Sequence, residues 1–235
     1  GWTTADAEPL IPQTALMGMS KPMVFDGIDD VVSMGDQSDL DVGTDDFSVS
    51  FWMVADITAS YLQKLVAKYQ APGWVIWKDS ADKIAIYIRY DGSHNASPIT
   101  TNALTNGKLY HIVASFDRSS DCNIYVNGNL DGTTSISSMV SDNLDNTSEF
   151  VIGGSASQWF TGNINEVSMW DTALSLAEVQ ELFNDGIALD ANEHTRESSL
   201  VGYWRNTGTG TWTDLSQNSN DGTPSGSPDT ILLPE

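Results

Sequence analysis

Hydrophobic and polar residues alternate in short runs along most of this chain, which is the period of extended strands with opposite faces in different surroundings. Met23 to Ser33 and Phe47 to Ala55 read as strands, with the acidic turn SDLDVGTDD between them. In the second of these, Phe47, Val49, Phe51 and Met53 share one face and Trp52 points the other way. Lys64 to Gln70, Gly73 to Lys78 and Lys83 to Tyr90 form a meander turned by Pro72-Gly73 and by Asp79 to Asp82. Its last strand sets Ile84, Ile86, Ile88 and Tyr90 against Ala85, Tyr87 and Arg89. Leu109 to Asp117 carries apolar residues on both faces, so both are expected to be covered. Asn127-Gly128, between CNIYV and NLDGT, is a strong hairpin signal, because both central residues of a type I′ turn need positive φ. Phe150 to Gly153, Gly162 to Trp170 and Leu200 to Arg205 complete the strands, and Ser155 to Trp159 reads as a loop.

The period changes once. Ser175 is placed to cap a helix whose third residue, Glu178, reaches back to the cap, while Leu174 and Val179 stand where a hydrophobic staple closes the entry. Val179, Leu182 and Phe183 form its apolar stripe, and Gly186 after Asp185 supplies a left-handed residue to end it. In the strand before it, uniform alternation puts Ile164, Glu166, Ser168 and Trp170 on one face and Asn163, Asn165, Val167 and Met169 on the other. Regularly spaced strands with a single helix predict an all-β fold, a jelly-roll sandwich of two antiparallel sheets with about 12 to 14 strands.

Several stretches resemble one family. FDGIDDVVSM (Phe25 to Met34), FSVSFWM (Phe47 to Met53), CNIYVNGNLDG (Cys122 to Gly132), FVIGG (Phe150 to Gly154) and the strand leading into the isolated helix are similar, in this order, to a laminin G-like domain of the concanavalin A-like lectin/glucanase superfamily. Among such domains the chain most resembles those of marine phage structural proteins. The block LVGYWRNTGTGTWTDLSQNSNDGT (Leu200 to Thr223) usually opens these domains and here comes last. Either it supplies the domain's own strand from the other end or it begins a truncated second repeat. The first is favoured, because the sequence stops about a dozen residues later and nothing at the amino end fills that strand position. The expected organisation is an arm or linker over 1–22, with Pro9, Pro12 and Pro22, then a domain over 23–223 in which 200–223 supply a strand, and a tail over 224–235.

The length, 235 residues, and an apolar content of 40% suit one sandwich with a real core. A formal net charge of −22, with only 10 Lys and Arg, argues against nucleic acid and against anionic membrane surfaces as partners. The same acidity fits solubility in a salty medium, divalent cation binding, or avoidance of self-association. Cys122 is the only cysteine, so no internal disulfide forms. No run of eighteen apolar residues is present for membrane insertion, and Gly1 at the start suggests a processed or excised segment. Asn146-Thr-Ser is a formal glycosylation acceptor of little weight.

The glucanase relatives carry three acidic residues at alternate or near-alternate positions on one strand, and that motif is absent here; Glu166 stands alone on its strand. His94, His111 and His194 sit in a loop, a strand and a linker without zinc-ligand spacing. No nucleophile with a base emerges, and the chain reads as non-enzymatic. A hard-cation site is the better chemistry: Asp26, Asp29 and Asp30 crowd one turn, and Ca²⁺ takes six to eight such oxygens. The resemblance implies that Asn165 or Glu166 completes the shell. Sugar binding needs flat apolar faces beside hydrogen-bonding groups. Trp159 in the SASQWF loop is the preferred exposed aromatic, with Trp77, Tyr87 and Arg89 as further candidates; Trp52, Trp170 and Trp204 read as packing. Arg89 would meet an acidic glycan or pair with a carboxylate. Two functions follow from different classes. One is a carbohydrate-binding or adhesion module on a virion surface or in an extracellular setting, recognising surface glycans. The other is a structural module that attaches to or decorates other subunits of a larger assembly.

Overall fold

The computed structural model describes residues 23–58, 61–206, 210–226 and 229–230. The arm expected over 1–22 and part of the tail expected over 224–235 lie outside these residues. The described chain forms seventeen strands. They are β1 (Met23–Asp26), β2 (Val31–Gly35), β3 (Phe47–Ala55), β4 (Gln63–Tyr69), β5 (Gly73–Lys78), β6 (Ile84–Arg89), β7 (Asn95–Ala96), β8 (Leu109–Phe116), β9 (Asp121–Val126), β10 (Asn129–Ser135), β11 (Phe150–Ile152), β12 (Gly154–Ser155), β13 (Gln158–Trp159), β14 (Thr161–Trp170), β15 (Leu200–Trp204), β16 (Thr223–Ser225) and β17 (Asp229–Thr230). Four of them, β7, β12, β13 and β17, have only two residues, which leaves thirteen longer ones, within the expected range. One helix, α1 (Leu176–Phe183), follows β14.

Eight strands form one antiparallel sheet in the order β10-β9-β8-β3-β14-β1-β17, with β15 also paired to β14. Seven form the other, β16-β2-β11-β4-β5-β6-β7. Side chains from the inner faces make one continuous core in which Phe47 stacks on Phe116 (4.0 Å between ring centroids) and meets Trp74 from the opposite sheet. Val49, Phe51, Ile112, Ile76, Ile86 and Ile164 are each fully buried there. This is the two-sheet sandwich that alternation implies.

The helix is capped as its sequence requires. Glu178 N–H donates to Ser175 Oγ, and the Glu178 carboxylate accepts from the Ser175 N–H, so two of the orphan donors at the helix start are satisfied. Its end differs from expectation. Asn184 already adopts the left-handed conformation (φ 45°, ψ 53°), so the helix stops a turn's fraction before Gly186, and Asp185 and Gly186 continue at positive φ. Asn tolerates that region because its short polar side chain bonds locally.

Uniform alternation fails in β14. Glu166 has φ 52°, and the register against β3 slips between Asn165 and Ser168, so Ile164, Val167 and Met169 all enter the core while Ser168 and Trp170 face outward. A bulge of this kind lets one strand serve two partners. Before it, β14 pairs with β1 (Ile164 opposite Met23); after it, with β15 (Val167 opposite Trp204).

The C-terminal block is thus paired inside the same sheet. Asp214 organises its turn, accepting from the N–H groups of Tyr203, Ser216 and Asn220 at 2.9 Å each, and Trp212 fills the core. The segment expected as a tail also starts by pairing: β16 lies along β2 and β17 along β1, where each gives a sheet-edge strand a hydrogen-bonding neighbour.

Candidate functional site

The meander β4, β5 and β6 lays its outward residues in rows across the seven-stranded sheet, because residues in register across strands project to the same face. Ala67, Val75 and Tyr87 form one row, and Lys64, Trp77 and Ala85 the next. Val151 joins Ala67 from β11. Ala67, Val75 and Val151, with Val31, Tyr69, Trp77 and Tyr87 packed against them, make an apolar cluster separate from the core. Above its small floor stand three half-buried aromatics. Trp77 stacks on Tyr87 at 5.9 Å with 12° between planes, and Tyr69 tilts against Tyr87 at 5.9 Å. The result is a strip of half-exposed rings, a stacked pair with a third ring inclined to it, and exposed aromatic rings are what sugar rings cover.

Polar groups border it. Arg89 follows Tyr87 on the same strand face, and its Nε donates to the Asp91 carbonyl at 3.0 Å; its charge also attracts the Asp91 carboxylate, with no ion pair at salt-bridge distance among the described residues. Lys64, buried at 7% exposure, lies opposite Trp77 and donates to Ser155 Oγ at 2.9 Å. Ser155 belongs to the small hairpin β12–β13, whose turn residues Ala156 and Ser157 both have positive φ (51° and 66°). The segment is therefore a tight hairpin rather than a loop. Trp159 pairs with Gly154 across it and packs over that glycine, where a Cβ would stand 2.9 Å from the indole. It is half-buried rather than freely exposed. Of the candidates read from sequence, Trp77, Tyr87 and Arg89 thus share one face, and Trp159 stands on the hairpin beside β4. Tyr69 and Lys64 were not foreseen. The alternation Ala67, Tyr69 in β4 was the available signal for the first; the second depends on the bulge at Leu65, which shifts the register between Lys64 and Val66.

The acidic turn crosses from β1 to β2. Single carboxylate oxygens of Asp26, Asp29 and Asp30 lie within 4.8 Å of one another. Asp26 N–H donates to Asp30 Oδ2 (2.8 Å) and Ile28 N–H to Asp26 Oδ1 (2.7 Å), so each carboxylate keeps an oxygen outside these bonds. Burial raises the Asp30 pKa, and the charges of Asp26 and Asp29 add to the rise, against the lowering by the Asp26 N–H. Crowded anions with no ion-pair partner among the described residues suit a hard divalent cation.

Asn165 and Glu166 do not complete that shell. Asp26 pairs with Thr161, and Asn165 lies four residues further along β14, about 13 Å away at the rise of a strand. Both have other partners: Asn165 Oδ1 accepts from Asn206 N–H (2.9 Å), and Glu166 accepts from the Tyr203 hydroxyl and from Arg205 Nε (2.7 Å). Burial, then the Glu166 charge, holds the Tyr203 phenol well above its usual range. This cluster fixes the bulge.

One nucleophile–base pair exists that spacing did not reveal. Ser50 Oγ lies 2.9 Å from His111 Nε2. Both are buried, His111 Nδ1 has no hydrogen-bond partner, and burial lowers the imidazole pKa to about 3. Trp52 and Phe183 close over the ring. With no group orienting the imidazole and aromatics covering it, the pair is a packing contact rather than the start of a triad.

A family model of the concanavalin A-like lectin/glucanases superfamily, laminin G-like, matches residues 26–180. Comparison with curated protein sequences gives no match. Among solved structures, a Bacteroides ovatus protein assigned to carbohydrate binding superposes with a TM-score of 0.68 at 18% identity, covering 92% of this chain and 61% of its own. The binding domain of Paraclostridial Mosquitocidal Protein 1 superposes with a TM-score of 0.56 at 17% identity, over 71% of this chain and 47% of its own. The binding domain of Botulinum Neurotoxin DC, solved with SialylT, gives 0.51 at 15% identity, over 60% and 36%. The chain therefore spans about three fifths of the Bacteroides protein's length and less of the toxin domains'. At these identities the likeness is one of fold.

Proposed function

The chain belongs to the concanavalin A-like lectin/glucanases superfamily, and from that membership we propose that it is a non-enzymatic carbohydrate-binding module whose ligand lies across Trp77, Tyr87 and Tyr69. The observation that carries this reading is the stacked, half-exposed strip on the open face of the seven-stranded sheet. An aromatic face in a sheet otherwise needs a cover, and among the described residues no helix crosses this one. Two similar structures support the same reading, the Bacteroides ovatus protein assigned to carbohydrate binding and the toxin binding domain solved with SialylT. A place on a virion or cell surface, as the sequence suggested, is part of the proposal, with surface glycans as partners.

The acidic turn takes a Ca²⁺ ion in this reading, held by Asp26, Asp29 and Asp30, whose free oxygens are the right donors. The ion neutralises their repulsion and fixes the crossing between the two sheets. It supplies structure, not chemistry.

A glycan array with the isolated chain tests the binding proposal. Trp77→Ala should abolish the signal while the fold persists, and Trp159→Ala should weaken it only if the hairpin takes part. A signal that survives Trp77→Ala and Tyr87→Ala together places the ligand elsewhere.

A further inference from the structure

We infer that the saccharide bound on this face carries a carboxylate, as a uronic or sialic acid does, and that Lys64 with Ser155 receives it at the Trp77 end of the aromatic strip. The inference rests on the glycan-binding reading above and specifies its ligand. Its first support is a comparison of the three buried lysines. Lys68 is neutralised by Asp36 (2.8 Å) and Asp41 (3.2 Å), and Lys78 by Asp82 (2.6 Å). Lys64, also buried though slightly more exposed (7% against 2% and 0%), has one neutral hydroxyl, Ser155 Oγ, and no carboxylate within ion-pair distance among the described residues. Thirty-two acidic side chains serve ten basic ones in this protein, so an uncompensated buried ammonium is not forced by scarcity. Burying a cation without a counter-charge is unfavourable. Desolvation lowers its pKa with no neighbouring carboxylate offsetting the shift.

The second support is independent of charge. The hairpin that brings Ser155 to Lys64 turns on Ala156 and Ser157, two consecutive non-glycine residues in the left-handed region. Neither side chain suits that conformation, and such strain persists where the surroundings hold a geometry that is used. An ammonium and a hydroxyl side by side offer two donors, the number a carboxylate's two oxygens accept. Lys64 lies directly across from Trp77 in the sheet, so an acid group docked there places its pyranose ring over the strip. Ser155 Oγ now occupies the position on Nζ that one carboxylate oxygen would share.

Tetragalacturonate and its methyl ester share a backbone and differ in charge, and their affinities for the whole chain can be compared by calorimetry. Because the protein repels anions at long range, the titration belongs at about 0.5 M salt, where the screening length is roughly 4 Å. The acid should bind about tenfold or more tighter than the ester, as one charge-assisted contact implies. Lys64→Met should erase that preference, leave ester binding in place and raise the melting temperature, since it removes an uncompensated charge at similar volume. Ser155→Ala should reduce the preference partly. Equal affinity for acid and ester, or a preference that survives Lys64→Met, overturns the inference and leaves the glycan-binding reading standing. Failure of both ligands and of every sugar on the array overturns both.

Discussion

The outer faces of the two sheets carry similar residues and meet different fates. On the eight-stranded sheet Trp52, His111, Val113, Tyr125, Trp170 and Tyr203 point outward, and all are buried. The segment between β14 and β15 folds back over them: Val179 and Leu182 of the helix join Trp170 and Tyr203 in one cluster, Phe183 stacks on Trp52, and His194 meets Trp170 edge-on at 4.9 Å. On the seven-stranded sheet Tyr69, Trp77 and Tyr87 also point outward and stay half-exposed. Each sheet can bury only one face in the sandwich, and the one α-helix among the described residues covers the first. Outward aromatics are packing in one place and available surface in the other. Sequence pattern alone does not separate the two, because the cover is supplied from elsewhere in the chain.

The largest effect expected from this contrast is on the covered face. Trp170→Ala removes a fully buried indole beneath the helix and should cost about 3–5 kcal/mol, read from the urea midpoint with the slope unchanged. A loss near 1 kcal/mol would mean that the cover is loosely held and that the two faces are more alike than the packing shows.

Calcium should act on both sheets at once, because the turn that carries the three carboxylates is the crossing from β1 in one to β2 in the other. At about 100 times its dissociation constant an ion bound only to the native state adds roughly 2.7 kcal/mol. Melting in excess chelator, then with calcium restored, reads this as a shift of a few degrees. Asp29→Ala should abolish the shift. A melting temperature indifferent to chelator leaves these residues as turn formers.

The covered face should also be the acid-sensitive one. His111 is held neutral by burial, with its pKa lowered to about 3, whereas the unfolded chain takes up that proton near 6.5. A depressed histidine pKa means that the unfolded state binds more protons in this window, so stability is full above about pH 6.5 and falls as pH drops toward 3. Between pH 8 and pH 5 the loss from this one group is about 2 kcal/mol. His111→Gln, which cannot titrate, should flatten that part of the pH profile of the urea midpoint. An unchanged slope would assign the acid sensitivity to other groups.

What the sequence made legible was local. The capping box of Ser175 and Glu178, the Asn127-Gly128 turn (φ 50° and 75°) and the alternation in β3, β6 and β8 depend on residues a few positions apart, and each appears as written. What it hid was settled at a distance. The bulge in β14 is held by Tyr203 and Arg205, some forty residues away, so nothing near Glu166 signalled that alternation would break there. Asn165 and Glu166 are out of reach of the acidic turn because Asp26 pairs with Thr161, four residues before Asn165, a register that sequence pattern does not show. The two turn positions of the β12–β13 hairpin, Ala156 and Ser157, lack the glycine or asparagine that announces a turn with positive φ, and the segment therefore read as a loop. Trp77, Tyr87 and Arg89 were identifiable from alternation; that Tyr69 joins them, and that no helix among the described residues covers them, required the sheet.

The smallest stability effect is the most discriminating one. Trp77 is half-buried, rests on an apolar floor of small residues and stacks on Tyr87. Replacing it with alanine removes that stacking and part of its buried area, a loss of about 1–2 kcal/mol, well below the figure for Trp170. Tyr69→Ala, which loses one tilted ring contact, should cost about 1 kcal/mol or less. Neither change opens a cavity, since water already reaches one side of both rings. Their effect should appear in glycan affinity, as a loss of bound signal at unchanged secondary structure, measured by calorimetry beside a denaturant curve for each variant. If Trp77→Ala instead destabilised the protein as much as Trp170→Ala, the strip would be a second core surface covered by residues outside the described part of the chain, and the contrast between the two faces would fall with it.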